Sequence, residues 1–162
     1  MKRLLTLLAA CIAACAATAQ SRIETFTFRS ALLGAEKTCS VYLPAGYDDS
    51  GRSYPVLYLL HGASGYHGDW AEKGNMRQIA DEAIAAGTAL PMIVVMPDAS
   101  GTGENYTGDR MGYFDVPGWP YERFFFEEFV PAVERRYRIC GDKARRAISG
   151  LSMGGGGTAV YA

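Results

Sequence analysis

Residues 145–157 read Arg-Arg-Ala-Ile-Ser-Gly-Leu-Ser-Met-Gly-Gly-Gly-Gly, and this stretch decides the fold of the chain. It predicts a short strand, a sharp turn that carries one serine, and the start of a helix. Gly150, Ser152 and Gly154 have the Gly-x-Ser-x-Gly spacing of a nucleophile elbow. In such a turn the serine backbone is strained and the hydroxyl projects above the sheet edge. Glycines on both sides leave no Cβ where strand and helix nearly touch.

The motif alone is weak evidence, and its significance depends on the residues around it. The chain has 19 glycines among 162 residues, so chance alone supplies roughly one such match in eight chains of this composition. A working elbow also needs a strand before it, a helix after it and an oxyanion-binding loop upstream, and it needs an acid and a histidine downstream. The rest of the chain decides whether the motif is a working elbow.

The composition is that of a globular protein with one core. Hydrophobic residues make up 49% of the chain, charged residues 20%, and the net charge is −1. Such a balanced charge argues against a nucleic-acid partner.

Residues 1–19 have the pattern of a secretory signal peptide. Lys2 and Arg3 precede an apolar run over residues 4–17, and Ala17-Thr18-Ala19 forms a cleavage site before Gln20. We therefore expect a secreted or periplasmic protein. The alternatives are an N-terminal helix of the fold and a membrane anchor, although the run is short for a transmembrane span.

The cysteines leave two further questions open. Cys11 and Cys15 each follow a short apolar run that resembles a bacterial lipoprotein cleavage box, so a lipid-anchored form is an alternative to free export. Cleavage after Ala19 leaves Cys39 and Cys140, which an exported protein could join. Two cysteines are more often small buried side chains, and no site is assigned to them.

The first half of the chain predicts strands of two kinds. Residues 23–29 and 38–43 alternate apolar and polar side chains, and a turn at 33–35 joins them as an antiparallel pair. Residues 44–51 are expected to form a loop. Residues 56–60 and 92–96 are continuously apolar, which is typical of strands covered on both faces of a parallel sheet.

Helices are predicted between these strands and before the elbow. One helix ends near Gly87, and its apolar face holds Met76, Ile79, Ala80, Ala83 and Ile84. A second apolar stripe runs from about Tyr121 to Tyr137, and Pro131 within it predicts a kink or a later helix start. A strand over residues 144–149 then leads into the elbow. The order indicates an α/β fold with a mainly parallel sheet, whose active site lies beyond the carboxyl ends of the strands.

These residues together resemble the α/β-hydrolase superfamily, and within it the esterase D-like group. That group includes bacterial feruloyl and acetylxylan esterases and is similar to the mycolyltransferases. The segments that carry the resemblance are residues 58–62, Asp69-Trp70, and residues 95–98, 125–131 and 147–155. They cover nearly all of the chain after the predicted signal peptide.

The resemblance implies an exported serine carboxylic-ester hydrolase that acts on ester-decorated carbohydrate, as a small molecule or a polysaccharide, without a cofactor or metal. Ser152 would be the nucleophile that carries the acyl group. The oxyanion hole would use the backbone N–H of Met153 and a second N–H after His61-Gly62, at Ala63. Each such donor contributes about 3 kcal/mol of transition-state stabilisation.

One part of the pattern is missing from these residues. In this fold the serine is followed by an acid and then by a histidine. Only ten residues follow Ser152, none of them acidic or histidine, and His61 and His67 both lie upstream. We therefore interpret residues 20–162 as the N-terminal part of an α/β-hydrolase domain. We expect this chain alone to be inactive and poorly soluble, because the elbow strand would form an unpaired apolar edge.

Several roles are left open. Tyr113 and Trp119, in the glycine-rich segment 101–120, are candidates for a substrate-binding wall, with loop residues that cover the core as the alternative. We expect His61 to shape its loop rather than to transfer protons, and Asp98 to cap a loop. Other functions that fit are an acyltransferase on the same scaffold and a non-catalytic binding module. A dinucleotide site at residues 154–159 would need an acidic residue further on.

Overall fold

The computed structural model describes residues 20–101 and 112–162. The predicted signal peptide, including Cys11 and Cys15, and the aromatic residue Tyr106 lie outside the described residues. Within the described ranges, no helix is long and apolar enough to cross a membrane.

The chain begins with the antiparallel pair that the alternating residues predict. Strand β1 (Arg22–Arg29) pairs with β2 (Glu36–Leu43), and Thr27 lies opposite Thr38. Gly34 makes the connecting turn with φ 63°. The expected loop at 44–51 instead contains a one-turn helix, α1 (Tyr47–Ser50), because Gly46 and Gly51 adopt left-handed conformations at its two ends.

A β–α–β unit follows, as predicted. It consists of β3 (Val56–Leu60), α2 (Asp69–Glu72), α3 (Met76–Ala85) and β4 (Ile93–Met96). Met76 and its helical neighbours Ala80 and Ile84 pack on the sheet. Ile79 was wrongly placed on this face, since its side chain is 59% exposed. Gly87 ends the helix as expected, with φ 72°.

The segment before the elbow is one continuous helical region with an irregular turn. A hairpin of β5 (Asp115–Val116) and β6 (Trp119–Pro120) leads into α4 (Tyr121–Phe124), a π-helical turn (Phe125–Phe129) and α5 (Val130–Arg136). Pro131, where the sequence predicts a kink or a later helix start, lies in the first turn of α5, directly after the irregular π-helical turn. Pro131 lacks an N–H, and the wider turn directly before it lets the helix run through this position.

The elbow region completes the sheet. A 3₁₀ turn (Lys143–Arg145), β7 (Arg146–Gly150) and α6 (Met153–Tyr161) follow one another, so the strand begins two residues later than predicted. The sheet order is β1-β2-β4-β3-β7, with β4, β3 and β7 parallel and β1 and β2 antiparallel to their neighbours. β7 is an edge strand whose residues are exposed or half-buried.

Helices cover both faces of this sheet. On one face α3 packs on a small cluster around Tyr42 and Met96. On the other, α4, α5 and α6 enclose the larger core. Its fully buried aromatic side chains are Tyr54, Tyr113, Tyr121, Phe124, Phe125 and Phe129. The result is an α/β fold with three layers, and the carboxyl ends of β3, β4 and β7 meet at one edge.

Candidate active site

Three polar residues follow the carboxyl ends of three parallel strands. His61 follows β3, Asp98 lies two residues after β4, and Ser152 lies two residues after β7. Leu60 of β3 is directly opposite Gly150 of β7, so the loops after these two strands start side by side. The fold therefore gathers the sequence-predicted residues at a single edge of the sheet.

Ser152 has the strained conformation that a nucleophile elbow requires. Its φ is 53° and its ψ is −111°, a combination that costs a non-glycine residue about 1–3 kcal/mol. It is the N-cap of α6, but its side chain makes no capping hydrogen bond. Ser152 is exposed. The backbone thus places the hydroxyl on the surface instead of using it to stabilise the helix.

The two motif glycines allow β7 and α6 to touch. A Cβ at Gly150 would lie 2.5 Å from the carbonyl group of Gly154. A Cβ at Gly154 would lie 2.6 Å from the Leu60 oxygen and 2.7 Å from the His61 oxygen. All of these obstacles are backbone atoms, so only glycine fits without moving the strand or the helix.

The loop after β3 lies directly against the elbow. The Leu151 N–H donates to the Leu60 carbonyl at 3.2 Å, and a Cβ at Gly62 would be 3.6 Å from the Leu151 oxygen. Ala63 follows Gly62 and is exposed. The amide of Met153 is the first of α6, and the first amides of a helix lack intrahelical partners. The two predicted oxyanion donors therefore sit on adjacent segments.

Both ring nitrogens of His61 form hydrogen bonds with backbone groups. Its side chain is 1% exposed. Nδ1 lies 2.7 Å from the Gly62 carbonyl oxygen, and Nε2 accepts a hydrogen bond from the Ala99 N–H at 2.9 Å. A carbonyl can only accept and an amide can only donate, so His61 is neutral with its proton on Nδ1. This arrangement fits the predicted loop-shaping role and leaves neither nitrogen available as a base for Ser152.

The second histidine, His67, connects the same loop to β2. Its Nδ1 is 2.8 Å from the hydroxyl of Ser40, which is 3% exposed. Burial lowers the pKa of His67, although the nearby charges of Asp98 and Glu72 oppose this. Its hydrogen bond holds the loop rather than reaching the elbow.

Asp98 caps its own loop, as the sequence predicts. Its Oδ1 accepts the Ser100 N–H at 2.8 Å, and its Oδ2 lies 3.8 Å from Nζ of Lys37. Lys37 is only 4% exposed and also donates to the Ser100 carbonyl at 2.8 Å. Lys37 was not predicted as a site residue, although the alternation of β2 places it on the same face as the buried Cys39.

The charge of Asp98 is stabilised in the folded state. Burial acts to raise the pKa of its carboxyl group, whereas His61, Lys37 and Ser100 act to lower it, and the net pKa is below the ordinary value. His61 Nε2 is 3.7 Å from Asp98 Oδ1 and already accepts from Ala99, so it does not donate there. The Lys37 charge and the Ser100 amide are the contacts that stabilise the charged carboxylate without a proton from His61.

This lowered pKa predicts a pH-dependent stability. Because the pKa of Asp98 is lower folded than unfolded, its charge stabilises the fold above the unfolded pKa, and this is lost as the pH falls through the folded pKa. We expect Asp98→Asn to lower the free energy of unfolding by about 3 kcal/mol at pH 7, since Lys37 stays buried without its partner. The difference from the parent should shrink on acidification below pH 4, measured by urea unfolding.

The matched control for this pH series is Asp49→Asn, because Asp49 is exposed in α1. It should leave the unfolding midpoint within experimental error at every pH. An Asp98→Asn difference that stays constant from pH 7 to acid would contradict the assignment of a stabilising charge.

The candidate wall residues Tyr113 and Trp119 lie in the core. Tyr113 is 0% exposed and Trp119 is 3% exposed. The Tyr113 hydroxyl donates to the His61 carbonyl at 3.2 Å, and the Trp119 ring lies under Nζ of Lys37 at 5.2 Å. Their burial favours the core alternative. Two large apolar side chains are exposed close to the elbow: Leu151 belongs to it, and the Phe114 ring would lie 3.6 Å from a Cβ at Gly156 in α6.

The cysteines and other possible ligands form no cluster in the part of the chain described. Cys39 and Cys140 are both free, and burial raises the pKa of Cys39 to about 12. Among the described residues, no group of three histidine, cysteine or acidic side chains could hold a metal ion.

A strained serine between a parallel strand and a helix, beside a glycine loop, defines an α/β-hydrolase type of fold. The family model described as "Putative esterase" matches residues 30–162. The chain therefore belongs to this esterase family, as its sequence pattern predicts.

Individual relatives agree with this assignment. An endo-1,4-beta-xylanase/feruloyl esterase of Xylanibacter ruminicola is 36% identical over 137 residues, which are 82% of this chain and 18% of the relative. The structure of a ferulic acid esterase superposes with a TM-score of 0.82 at 44% identity, and the match covers 88% of this chain and 54% of that chain. An S-formylglutathione hydrolase of Agrobacterium tumefaciens gives a TM-score of 0.69 at 27% identity, covering 85% of this chain and 51% of that chain. The chain thus spans about half the length of these two solved enzymes.

Proposed function

We propose that the protein is an exported feruloyl-esterase-type carboxylic ester hydrolase that works through an acyl-enzyme on Ser152. The observation that supports this most strongly is the strained, exposed Ser152 with the Gly62–Ala63 loop packed against its neighbour Leu151. Both parts are needed for acyl transfer, because one attacks the carbonyl carbon and the other stabilises the charge that develops on its oxygen.

The proposed reaction has two steps. Ser152 Oγ attacks the ester carbonyl carbon while its proton passes to a general base, and the carbonyl oxygen becomes negative. The amides of Met153 and Ala63 donate to this oxygen. The tetrahedral intermediate then expels the sugar alkoxide, which takes the proton, and leaves an acyl group on Ser152. Water attacks this ester in the same way and releases the carboxylic acid.

The base and its orienting acid belong, in this proposal, to polypeptide outside these 162 residues. The described histidines are engaged elsewhere, His61 by the backbone and His67 by Ser40. β7 is a sheet edge flanked by a groove of about 440 Å³, whose lining is mostly apolar and includes Phe125 and Ile148 together with the cations Lys143 and Arg146. Among the described residues, the Tyr58 hydroxyl is a buried polar group without a hydrogen-bond partner, and Tyr58 lines this groove. Residues 20–162 would accordingly be part of a larger domain.

Two of the reported relatives support the substrate class in this proposal. The ferulic acid esterase and the xylanase/feruloyl esterase share 44% and 36% identity with this chain, against 27% for the S-formylglutathione hydrolase. Leu151 and Phe114 are exposed close to the elbow. An aromatic acyl group can bury their apolar surface, whereas a formyl group is too small to remove it from water.

A substrate panel tests this proposal on the full-length protein that contains residues 20–162. We expect kcat/KM for methyl ferulate and feruloylated arabinose to exceed that for S-formylglutathione and for acetylated xylose by at least about tenfold. Preference for S-formylglutathione would overturn the substrate class. Transfer of the acyl group to an added sugar in place of water would identify an acyltransferase, and ligand binding without turnover would identify a binding module.

A further inference from the structure

We propose that His61 is a positioning residue that aims the Ala63 N–H into the oxyanion hole, and that the Ala99 amide fixes the tautomer that His61 needs for this. The inference rests on the proposed function and assigns a task to a side chain that does not touch the reacting atoms. It follows from the hydrogen bonds around the Gly62–Ala63 peptide.

The planar Gly62–Ala63 peptide links the direction of the Gly62 carbonyl to that of the Ala63 N–H. All peptide bonds of the described residues are trans. In a trans peptide the C=O of one residue and the N–H of the next point in opposite directions within one plane. The direction of the Gly62 carbonyl therefore decides where the Ala63 N–H points. A rotation of this single peptide unit would turn the donor away from the oxyanion and present a carbonyl oxygen instead.

Two donors hold the Gly62 carbonyl on the inner side of the loop. His61 Nδ1–H donates to it at 2.7 Å, and the Gly65 N–H donates at 3.2 Å. His61 is the better anchor because its ring is buried and its own carbonyl accepts from the Tyr113 hydroxyl. The Ala63 N–H must then point away from His61, toward the exposed side of the loop. Ser64 follows with φ 59°, which is typical of a tight turn at this place.

The tautomer of His61 decides whether its Nδ1 can donate to the Gly62 carbonyl. Neutral histidine protonates either nitrogen, and only the Nδ1–H form can donate to Gly62. The Ala99 N–H points at Nε2 from 2.9 Å, so a proton on Nε2 would face another donor. Asp98 and Lys37 hold the loop that carries Ala99, since Asp98 caps Ser100 and Lys37 donates to the Ser100 carbonyl. The ion pair between Lys37 in β2 and Asp98 after β4 therefore acts on the oxyanion loop through one imidazole.

Two substitutions at His61 separate the donor from the acceptor. In His61→Asn the side-chain amide nitrogen can occupy the place of Nδ1 and donate to Gly62, but the contact to Ala99 is lost. In His61→Gln the side-chain oxygen can reach the place of Nε2 and accept from Ala99, but the donor to Gly62 is lost. If His61 acted through packing alone, His61→Gln would retain more activity than His61→Asn, because glutamine fills more of the volume of the imidazole ring.

We expect opposite outcomes in the full-length enzyme acting on methyl ferulate. His61→Gln should lower kcat by about 10²-fold with little change in KM, as expected for a lost oxyanion donor. His61→Asn should retain kcat to within about tenfold. The inference is overturned if glutamine retains kcat and asparagine does not, if both lose it equally, or if only KM changes.

A second measurement is independent of how these variants fold. In the parent protein labelled with ¹⁵N-histidine, NMR should show His61 with a protonated Nδ1 and an unprotonated Nε2 at neutral pH. Protonation at Nε2 would refute the proposal. Failure of the proposed function is recognised separately, because the parent itself would then show no turnover while the NMR result could still hold.

Discussion

Ser152→Ala in the full-length protein should abolish ester hydrolysis, with kcat lowered by about 10⁵-fold or more. Removing the nucleophile of a serine hydrolase costs on this scale, and only the binding and oxyanion contributions remain. The overall structure should not change, because the Ser152 side chain makes no capping hydrogen bond to α6. Initial rates with methyl ferulate and p-nitrophenyl acetate measure the effect.

The matched control is Ser53→Ala, the same substitution at an exposed serine before the amino end of β3, far along the chain from the elbow. It should retain full activity. A Ser152→Ala protein that keeps more than a few per cent of the parent turnover, when a mock preparation without the protein shows no esterase activity, would contradict the serine mechanism.

Gly154→Ala should destabilise the protein strongly, because Gly154 packs directly against the end of β3. The new methyl group would lie 2.6 Å from the Leu60 oxygen and 2.7 Å from the His61 oxygen, and neither backbone atom can move without shifting β3 or its loop. We expect the free energy of unfolding to fall by about 3 kcal/mol, the upper part of the range for overpacking. Urea unfolding of the full-length protein measures this change.

Gly155→Ala provides the matched control one residue further along α6. There the nearest obstacle to a Cβ is the Gly150 oxygen at 3.5 Å, which is ordinary contact. Alanine is a better helix former than glycine, so the protein should be unchanged or stabilised by up to about 1 kcal/mol. Equal stability of the two variants would show that α6 does not approach β3 as closely as described.

The parts of the fold that could be predicted are those with local signals. The strands β3 and β4 follow from uninterrupted apolar residues, and the antiparallel pair β1–β2 follows from alternation. Ser152 follows from two glycines whose spacing suits a close strand–helix contact, together with the strand and loop signals upstream. These signals lie within ten residues of the feature that they predict.

The features that escaped prediction depend on distant partners. Ile79 has the helical spacing of a core residue, yet the sheet reaches only Met76, Ala80 and Ile84. Pro131 has no N–H, and the π-helical turn before it allows the helix to continue. The sequence predicts that the proline disturbs the helix, but it does not predict which irregular turn forms.

The hydrogen bonds of His61 show the same limit at the site. His61 was predicted to shape its loop, but its tautomer is decided by Ala99, 38 residues later in the chain. Tyr113 offered no periodicity from which its burial could be predicted, because it lies in a glycine-rich segment. Lys37 alone carried a usable signal, a charged residue on the core side of an alternating strand.

The most direct test of the serine mechanism is covalent labelling of the full-length protein with a fluorophosphonate, followed by peptide mapping by mass spectrometry. Attack of an activated serine on phosphorus displaces fluoride and leaves a stable ester. The account predicts one adduct per molecule, located on Ser152, with loss of methyl ferulate hydrolysis in proportion to labelling. Complete inactivation with the adduct on another residue, or full labelling of Ser152 with activity retained, would contradict it.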